Sequence, residues 1–242
     1  MLKLHFKTLF FILICCNLTA QDNQLEFFKK WRSPDGRNID VYYMSDNRNL
    51  DDAPYIRTIG TPYINENFQQ TTIYTTGGEV YEGLFMRFNA YHEIMEFKEF
   101  LTDHDSLIGF LNKTPDLILK IGDQEYDFVF HPKDTENGSY FEVLFRGLNV
   151  NLYKKTDKRF TEGRIARTSF EIDSPRRFLD RHSYFYLSPT GELIELKGSQ
   201  ARKLNAINLE KIELQKFIQL NKLNLNEEKD LIKLIVHLDT LL

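Results

Sequence analysis

The punctuation of residues 60–197 constrains the fold more than any other feature of the chain. Short runs rich in Phe, Tyr, Ile and Val alternate there with turn residues, at intervals of about 8–12 residues. Gly77-Gly78 separates Ile73-Tyr74 from Val80–Tyr91, and Gly122-Asp123 separates Leu117–Ile121 from Tyr126, Phe128 and Phe130. Gly147 divides Phe141, Val143 and Phe145 from Val150 and Leu152, and Pro189-Thr190-Gly191 divides Ser183–Leu187 from Leu193–Leu196. Glycine accepts the positive φ of tight turns, and alternation at period two places apolar side chains on one face of a strand. Such short connections can join antiparallel neighbours but not parallel ones, so the pattern predicts an antiparallel meander.

After Gly198 the period becomes helical. Leu209, Ile212, Leu220 and Leu223 share one stripe with Phe217 at its edge, and Asn224 with Glu227 has the spacing of a capping box. Leu231, Leu234, Ile235, Leu238 and Leu242 then line one face of a last helix. Helices this short need a partner in water, so they are expected to pair and to cover part of the sheet. Before Gly60 the chain is polar and broken by Ser33-Pro34-Asp35-Gly36 and Asp51-Asp52-Ala53-Pro54, with short elements around Leu25–Trp31 and Ile39–Met44. The expected architecture is α+β: a curved antiparallel meander of about eight to ten strands with a C-terminal helical hairpin. The expected divisions are an export signal at 1–20, an irregular segment at 21–59, the β domain at 60–197 and the helices at 198–242.

Lys3 and Lys7, the apolar run Leu9–Cys16 and Leu18-Thr19-Ala20 follow the order of a cleavable secretory signal, with cleavage expected after Ala20. The apolar run falls short of the roughly 20 residues needed to span a bilayer, and no later stretch supplies a transmembrane helix. Acylation at Cys15 or Cys16 would need a small residue before the cysteine, whereas Ile14 and Cys15 stand there, which argues against a lipoprotein. Those two are the only cysteines, so the exported part has no disulfide and must be held by its core. Without Lys3 and Lys7 the chain carries 29 basic and 35 acidic residues, a net charge of −6, which disfavours nucleic acid as a partner. The expected location is the periplasm or the cell surface.

Several phrases run through the chain from Gly60 onward. They are Gly60-Thr61-Pro62-Tyr63-Ile64-Asn65, Arg87-Phe88-Asn89-Ala90-Tyr91 leading to Met95-Glu96-Phe97, and Tyr140-Phe141-Glu142-Val143-Leu144 before Gly147. Near the end come Phe217-Ile218, Asn221-Lys222-Leu223 and Glu228-Lys229-Asp230-Leu231-Ile232. On these phrases, and on a signal ending Ala20-Gln21, the chain resembles an uncharacterised family of exported proteins common in Bacteroidota. The resemblance implies an exported β-rich domain with a helical tail and carries over no active site. His237-Leu238 departs from it, where such proteins tend to have two tyrosines.

Catalytic and cofactor motifs are weak. His92-Glu93 with Glu96 lacks the second histidine of a zinc-peptidase helix and falls in a strand, where residues i and i+4 lie about 13 Å apart. Asp103-His104-Asp105 reads as a solvated loop, no serine sits in a G-x-S-x-G elbow, and no glycine-rich phosphate loop is present. Glu142 and Glu171 could act as an acid/base pair only at a defined separation in a cleft. The expectation is therefore a noncatalytic protein with no cofactor and no metal.

Three features remain as candidate contact sites. Residues 146–181 hold Arg146, Lys154, Lys155, Lys158, Arg159, Arg164, Arg167, Arg176, Arg177 and Arg181 against five acidic residues, a local net of +5. Gathered on one face, these would suit an acidic envelope protein, an anionic glycan or lipid headgroups. The many aromatics of the strands read as core, though a row of them could line a ligand groove. Asp105-Ser106-Leu107 fits a short acidic–hydroxyl–apolar pattern for O-glycosylation at Ser106, with Thr240 a weaker second match. The function expected from sequence is an exported envelope protein acting through protein or surface contacts, with a periplasmic carrier of a lipid-like or glycan ligand as the alternative.

Overall fold

A computed structural model describes the backbone of residues 27–32, 38–43, 57–131, 134–168 and 170–242, with side chains for 57–130, 138–168 and 170–242. The signal segment, Cys15, Cys16 and the two N-terminal turn segments lie outside the described residues. The chain is an α+β protein built on a strand meander. β1 (Phe27–Arg32) and β2 (Asn38–Tyr43) form a hairpin at the positions expected for short elements. β3 (Thr58–Ile59), β4 (Gln69–Thr75), β5 (Val80–Asn89), β6 (Ile94–Lys98) and β7 (Gly109–Leu111) follow. Then come β8 (Leu117–Ile121), β9 (Gln124–His131), β10 (Asp134–Arg146), β11 (Asn151–Thr161), β12 (Arg176–Leu187) and β13 (Leu193–Glu195). The sheet order is β1-β2-β7-β6-β5-β4-β8-β9-β10-β11-β12-β13, all antiparallel, with β3 lying parallel on β12.

Ten strands, β4–β13, lie within residues 60–197, inside the expected eight to ten, and β1, β2 and β3 of the described residues add to the same sheet. β1 and β2 join the sheet through β7, and β3, β7 and β13 are only two or three residues long, too short to register as an alternation. The four expected hairpins are present, β4–β5, β8–β9, β10–β11 and β12–β13. Gly78 (φ +84°) and Gly122 (φ +58°) supply the left-handed backbone at the first two turns.

Register explains the core. Ile73 pairs with Leu119, Leu119 with Tyr126, Phe128 with Tyr140, Met86 with Phe97 and Phe88 with Met95. Opposed residues share a face, so these pairs form one continuous apolar surface from β6 to β10, and all nine side chains involved are buried.

Three helices follow: α1 (Gln200–Ile207), α2 (Lys211–Asn221) and α3 (Glu228–Leu241). Leu231, Leu234, Ile235 and Leu238 of α3 are 0–1% exposed and cluster with Leu214 and Ile218 of α2, with Leu152 and Tyr186 of the sheet and with Leu196 just after β13. The stripe expected through Ile212 and Leu220 is wrong: both are exposed, and α2 buries Leu214 and Ile218 instead. Asn208 is left-handed (φ +52°) and ends α1, so the helical phase restarts at Lys211 and Leu209 lies between helices. The capping box is also absent. Glu227 is the N-cap of α3, and Asn224 instead turns locally, its Oδ1 accepting from Asn226 N–H at 3.1 Å.

Polar staples fix the helices to the sheet. Asp239 of α3 accepts from the backbone N–H groups of Leu148 (3.1 Å), Asn149 (2.7 Å) and Val150 (3.0 Å) in the β10–β11 turn. Tyr186 donates its hydroxyl to the Ile207 carbonyl at 2.8 Å, at the end of α1. The buried Lys203 donates to the Leu225 carbonyl at 2.6 Å.

β10 and β11 pair only over Glu142–Arg146 and Asn151–Lys154. Beyond that point β10 stays with β9, while β11 stays with β12 as far as Thr161. Past Lys154 the β11–β12 hairpin is therefore a long arm that parts from β10, with β3 on its outer edge at Arg176 and Arg177.

Candidate interaction surface on the β11–β12 hairpin

The hairpin arm has two faces of different chemistry. Cross-strand register places Lys154 beside Tyr184, Thr156 beside His182, Lys158 beside Asp180 and Phe160 beside Phe178 on one face. Each of the last three pairs is in contact: Thr156 Oγ1 and His182 Nδ1 are 3.0 Å apart, Lys158 and Asp180 2.6 Å, and the two phenyl centroids 4.9 Å. Lys155, Asp157 and Arg159 lie on the other face, opposite Ser183, Arg181 and Leu179, with Arg177 opposite Thr161.

The structure divides the ten basic residues. Four of them are structural. Arg146 binds Asp127 at 2.8 Å and also Glu125, and although burial opposes its charge, these carboxylates hold its pKa above the ordinary guanidinium value. Asp127 also accepts from the Tyr153 hydroxyl at 2.8 Å, and burial together with that carboxylate pushes the phenol up. Lys154 bridges Glu142 (3.6 Å) and Glu228 of α3 (2.9 Å), and Tyr184 donates to the same Glu228 at 3.1 Å. Burial opposes the charge on Lys154, yet those carboxylates outweigh it and raise its pKa. Lys158 is spent on Asp180.

Lys155 closes the opening between β10 and β11. Its ammonium lies 2.6 Å from Glu93 and 3.2 Å from Asp157, and Ser139 of β10 contacts Glu93 at 3.4 Å. Burial works against the charge of Lys155, but the Glu93 hydrogen bond and the fields of Glu93 and Asp157 raise its pKa overall. Glu93 is left-handed (φ +54°), a conformation costing roughly 1–2 kcal/mol for a residue with a Cβ. The turn is held in that form with its carboxylate aimed at Lys155.

The other basic residues lie farther out. Arg159, Arg164, Arg167, Arg177 and Arg181 are exposed, and Arg176 approaches Glu162 at 3.8 Å. Arg181 reaches Asp157 at 3.4 Å and Arg164 reaches Glu171 at 4.0 Å. Among the described residues, no ion pair joins Arg159, Arg167 or Arg177 to a carboxylate. An open cleft of about 390 Å³ lies against this part of the arm, lined by Tyr91, Asp157, Lys158, Arg159, Phe160 and Arg181. Tyr91 meets Phe160 and Phe178 edge-on at 6.2 and 5.4 Å and is 40% exposed.

Beyond Thr161 the hairpin continues to a narrow tip. Arg164 and Ser174 exchange two backbone hydrogen bonds of 2.8 Å, and Glu171 N–H donates to the Thr168 carbonyl at 3.2 Å. Phe170 (97% exposed), Ile172 (87%) and Ile165 (54%) lie on this tip. Sequence reading missed them, although a signal existed: Arg164 to Ser174 contains neither glycine nor proline, yet sets apolar residues among arginines in a connection.

The remaining candidates lie elsewhere. Ser106 is exposed on a single 3₁₀ turn (Asp105–Leu107), with its hydroxyl 3.0 Å from His104 Nδ1. In the Asp103-His104-Asp105 loop Lys98 supplies the cation itself, donating to the Asp103 carbonyl (2.7 Å) and Asp105 (2.8 Å). The hydrogen bond from Lys98 outweighs the partial burial of Asp105 and lowers its pKa. Glu96 is engaged by Arg87 (2.8 Å) and Asn89 (3.0 Å). Among the described residues, no three His, Cys, Asp or Glu side chains gather as a metal site, and no helix is long and apolar enough to cross a membrane.

Against family models, curated proteins and solved structures, the chain matches none.

Proposed function

We propose that this is an exported, noncatalytic envelope protein, of the Bacteroidota family it resembles, that works through surface contacts made by the β11–β12 arm. One observation carries the proposal: Arg159, Arg167 and Arg177 stand exposed, and without ion pairs among the described residues, on the same arm that presents Phe170 and Ile172 to solvent. A free-standing fold gains nothing from that combination, since exposed apolar groups cost solubility and unpaired cations repel one another. A photo-crosslinking residue at position 159 or 181, irradiated in intact cells, should trap a discrete envelope component. The same residue at Lys229 on α3 should trap none. Equal labelling from both places, or none from the arm, would refute the proposal.

We also infer that the sheet curls on itself and that α2 and α3 form the antiparallel helical pair. The Phe88 and Tyr140 rings lie 5.8 Å apart, and Phe88 and Tyr126 5.7 Å. Phe88 is on β5 and Tyr140 on β10, four strands away in the sheet order, a separation of about 19 Å in a flat sheet. Filling of that curl by aromatic rings weighs against the carrier alternative. An open groove of about 590 Å³ between α1 and α2 has Ala201, Leu204 and Ile218 in its lining but Gln200, Asn205, Lys211, Gln215 and Gln219 as well, a largely polar set for a lipid chain. A noncovalent small-molecule adduct in native mass spectrometry of the protein from its host would revive the carrier.

A further inference from the structure

We infer that the tip of the β11–β12 arm inserts into an anionic lipid surface, which deepens the surface-contact reading and rests on it. The tip combines the two attractions that hold a protein at such an interface, apolar side chains to enter the acyl boundary and cations to meet the headgroups. Phe170 and Ile172 are two residues apart, 97% and 87% exposed, and Ile165 lies on the opposite limb of the same narrow loop. Arg164 and Arg167 lie within the loop, with Arg177 and Arg159 behind it along the strands.

Over residues 159–177 five arginines (Arg159, Arg164, Arg167, Arg176 and Arg177) outnumber three acids (Glu162, Glu171 and Asp173), a net of +2, and the acids are engaged within the arm. Asp180 is bound to Lys158 at 2.6 Å, Glu162 faces Arg176 at 3.8 Å, and Glu171 faces Arg164 at 4.0 Å. Asp173 accepts from the Ala166 N–H at 2.7 Å, and Glu171 accepts from the Arg167 N–H at 3.0 Å. These bonds also satisfy tip N–H groups, so part of the backbone of the loop enters a less polar medium with its donors already paired. A protein partner would ordinarily meet a broad surface with a buried centre. Here the most exposed apolar residues, Phe170 and Ile172, stand at the end of a narrow loop, with arginines in the loop and along the strands behind it, a small apolar tip that a planar, negatively charged, deformable surface can admit.

The test uses the protein recovered from its host's envelope and two kinds of vesicle, phosphatidylglycerol in phosphatidylcholine and phosphatidylcholine alone. The protein should sediment with the anionic vesicles and be released by salt. Phe170→Ser with Ile172→Ser should weaken that binding by at least about tenfold, and Arg167→Gln or Arg177→Gln by roughly fivefold each. These positions are exposed, so folding should be unaffected and the circular dichroism unchanged. In Phe170→Trp, the emission difference from wild type should shift to the blue only when anionic vesicles are added. Binding equal on both vesicle types, or none on either, overturns the inference. So does an indole already blue-shifted without vesicles, which would mean that a second copy or another part of the chain covers the tip. If vesicles fail but crosslinking from position 170 in cells traps a protein, the lipid inference falls and the surface-contact reading stands. If both fail, both fall.

Discussion

Replacing Asp239 tests whether α3 is fixed to the sheet through a single carboxylate. Asp239 lies in the last turn of α3 and accepts three backbone N–H groups from residues 148–150, at 2.7–3.1 Å. Those donors close the β10–β11 turn, and Asn149 Nδ2 adds a fourth bond to the Asp239 carbonyl at 3.2 Å. A hydrogen bond to a charged group contributes about 1.5–3 kcal/mol, and partial solvent access at this turn reduces each. Asp239→Ala should therefore cost about 3 kcal/mol in all, which lowers Tm by roughly 6–12 °C for a chain of this size. Asp239→Asn keeps one acceptor oxygen and should lose about half as much. The effect should depend on pH. Burial disfavours the Asp239 anion, but the three N–H donors outweigh burial and hold its pKa below the ordinary value. A carboxyl depressed in the folded state stabilises the fold above its unfolded pKa, and that stabilisation is lost as pH falls through the folded one. The gap between wild type and Asp239→Ala should be full at pH 7 and shrink in acid. Gly147 supplies an independent check. A Cβ built there would lie 2.5 Å from the Asp239 carboxyl carbon, so Gly147→Ala should cost about 2 kcal/mol in wild type and little in the Asp239→Ala background. The assays are thermal and urea unfolding followed by circular dichroism. An Asp239→Ala variant within about 1 °C of wild type at pH 7, or additive effects of the two substitutions, would refute the reasoning.

Four further outcomes are expected. Leu234→Ala, at a fully buried position between α3 and the sheet, should cost about 3–5 kcal/mol in urea unfolding; a loss under 1 kcal/mol would mean the helices are not a true core layer. Glu93→Gln should cost about 1 kcal/mol at pH 7. The raised pKa of Lys155 gives stability that is full below its unfolded value and lost as pH rises through the folded one, so the variant should also flatten the alkaline limb of the stability curve. Tyr186→Phe should lose about 1 kcal/mol by leaving the Ile207 carbonyl without its buried donor, and no loss would show that water replaces it. If Ser106 is O-glycosylated, the intact mass exceeds that of the polypeptide and Ser106→Ala removes the excess; a mass equal to the polypeptide disposes of the site.

Much of the sheet was legible because period-two burial and turn glycines are local properties. The hairpins at Gly77-Gly78, Gly122-Asp123, Gly147 and Pro189-Thr190-Gly191 all occur where the sequence implies them. The last helix was legible for the same reason, since Leu231, Leu234, Ile235 and Leu238 already lie on one face at helical spacing. The preceding helix was misread, because two left-handed residues, Asn208 and Glu210, reset the helical phase, and neither residue type gives an unambiguous warning of that conformation. The candidate surface was legible only as a list of cations. Its division depends on which arginine or lysine meets a carboxylate distant in sequence: Lys154 meets Glu228, Lys155 meets Glu93, and Arg146 meets Asp127.

The sequence by itself determined the elements: where strands turn, which of their faces is apolar, and that a helical tail follows. Each of those depends on backbone conformation and side-chain polarity within a few neighbouring residues. The tertiary structure decided the separation of β11 from β10, the seating of Glu93 beside Lys155, and the exposure of Phe170 and Ile172 at the end of the arm. Those depend on contacts between residues dozens of positions apart, where the free energy of a charge or an apolar ring is set by what surrounds it and not by its neighbours in the chain.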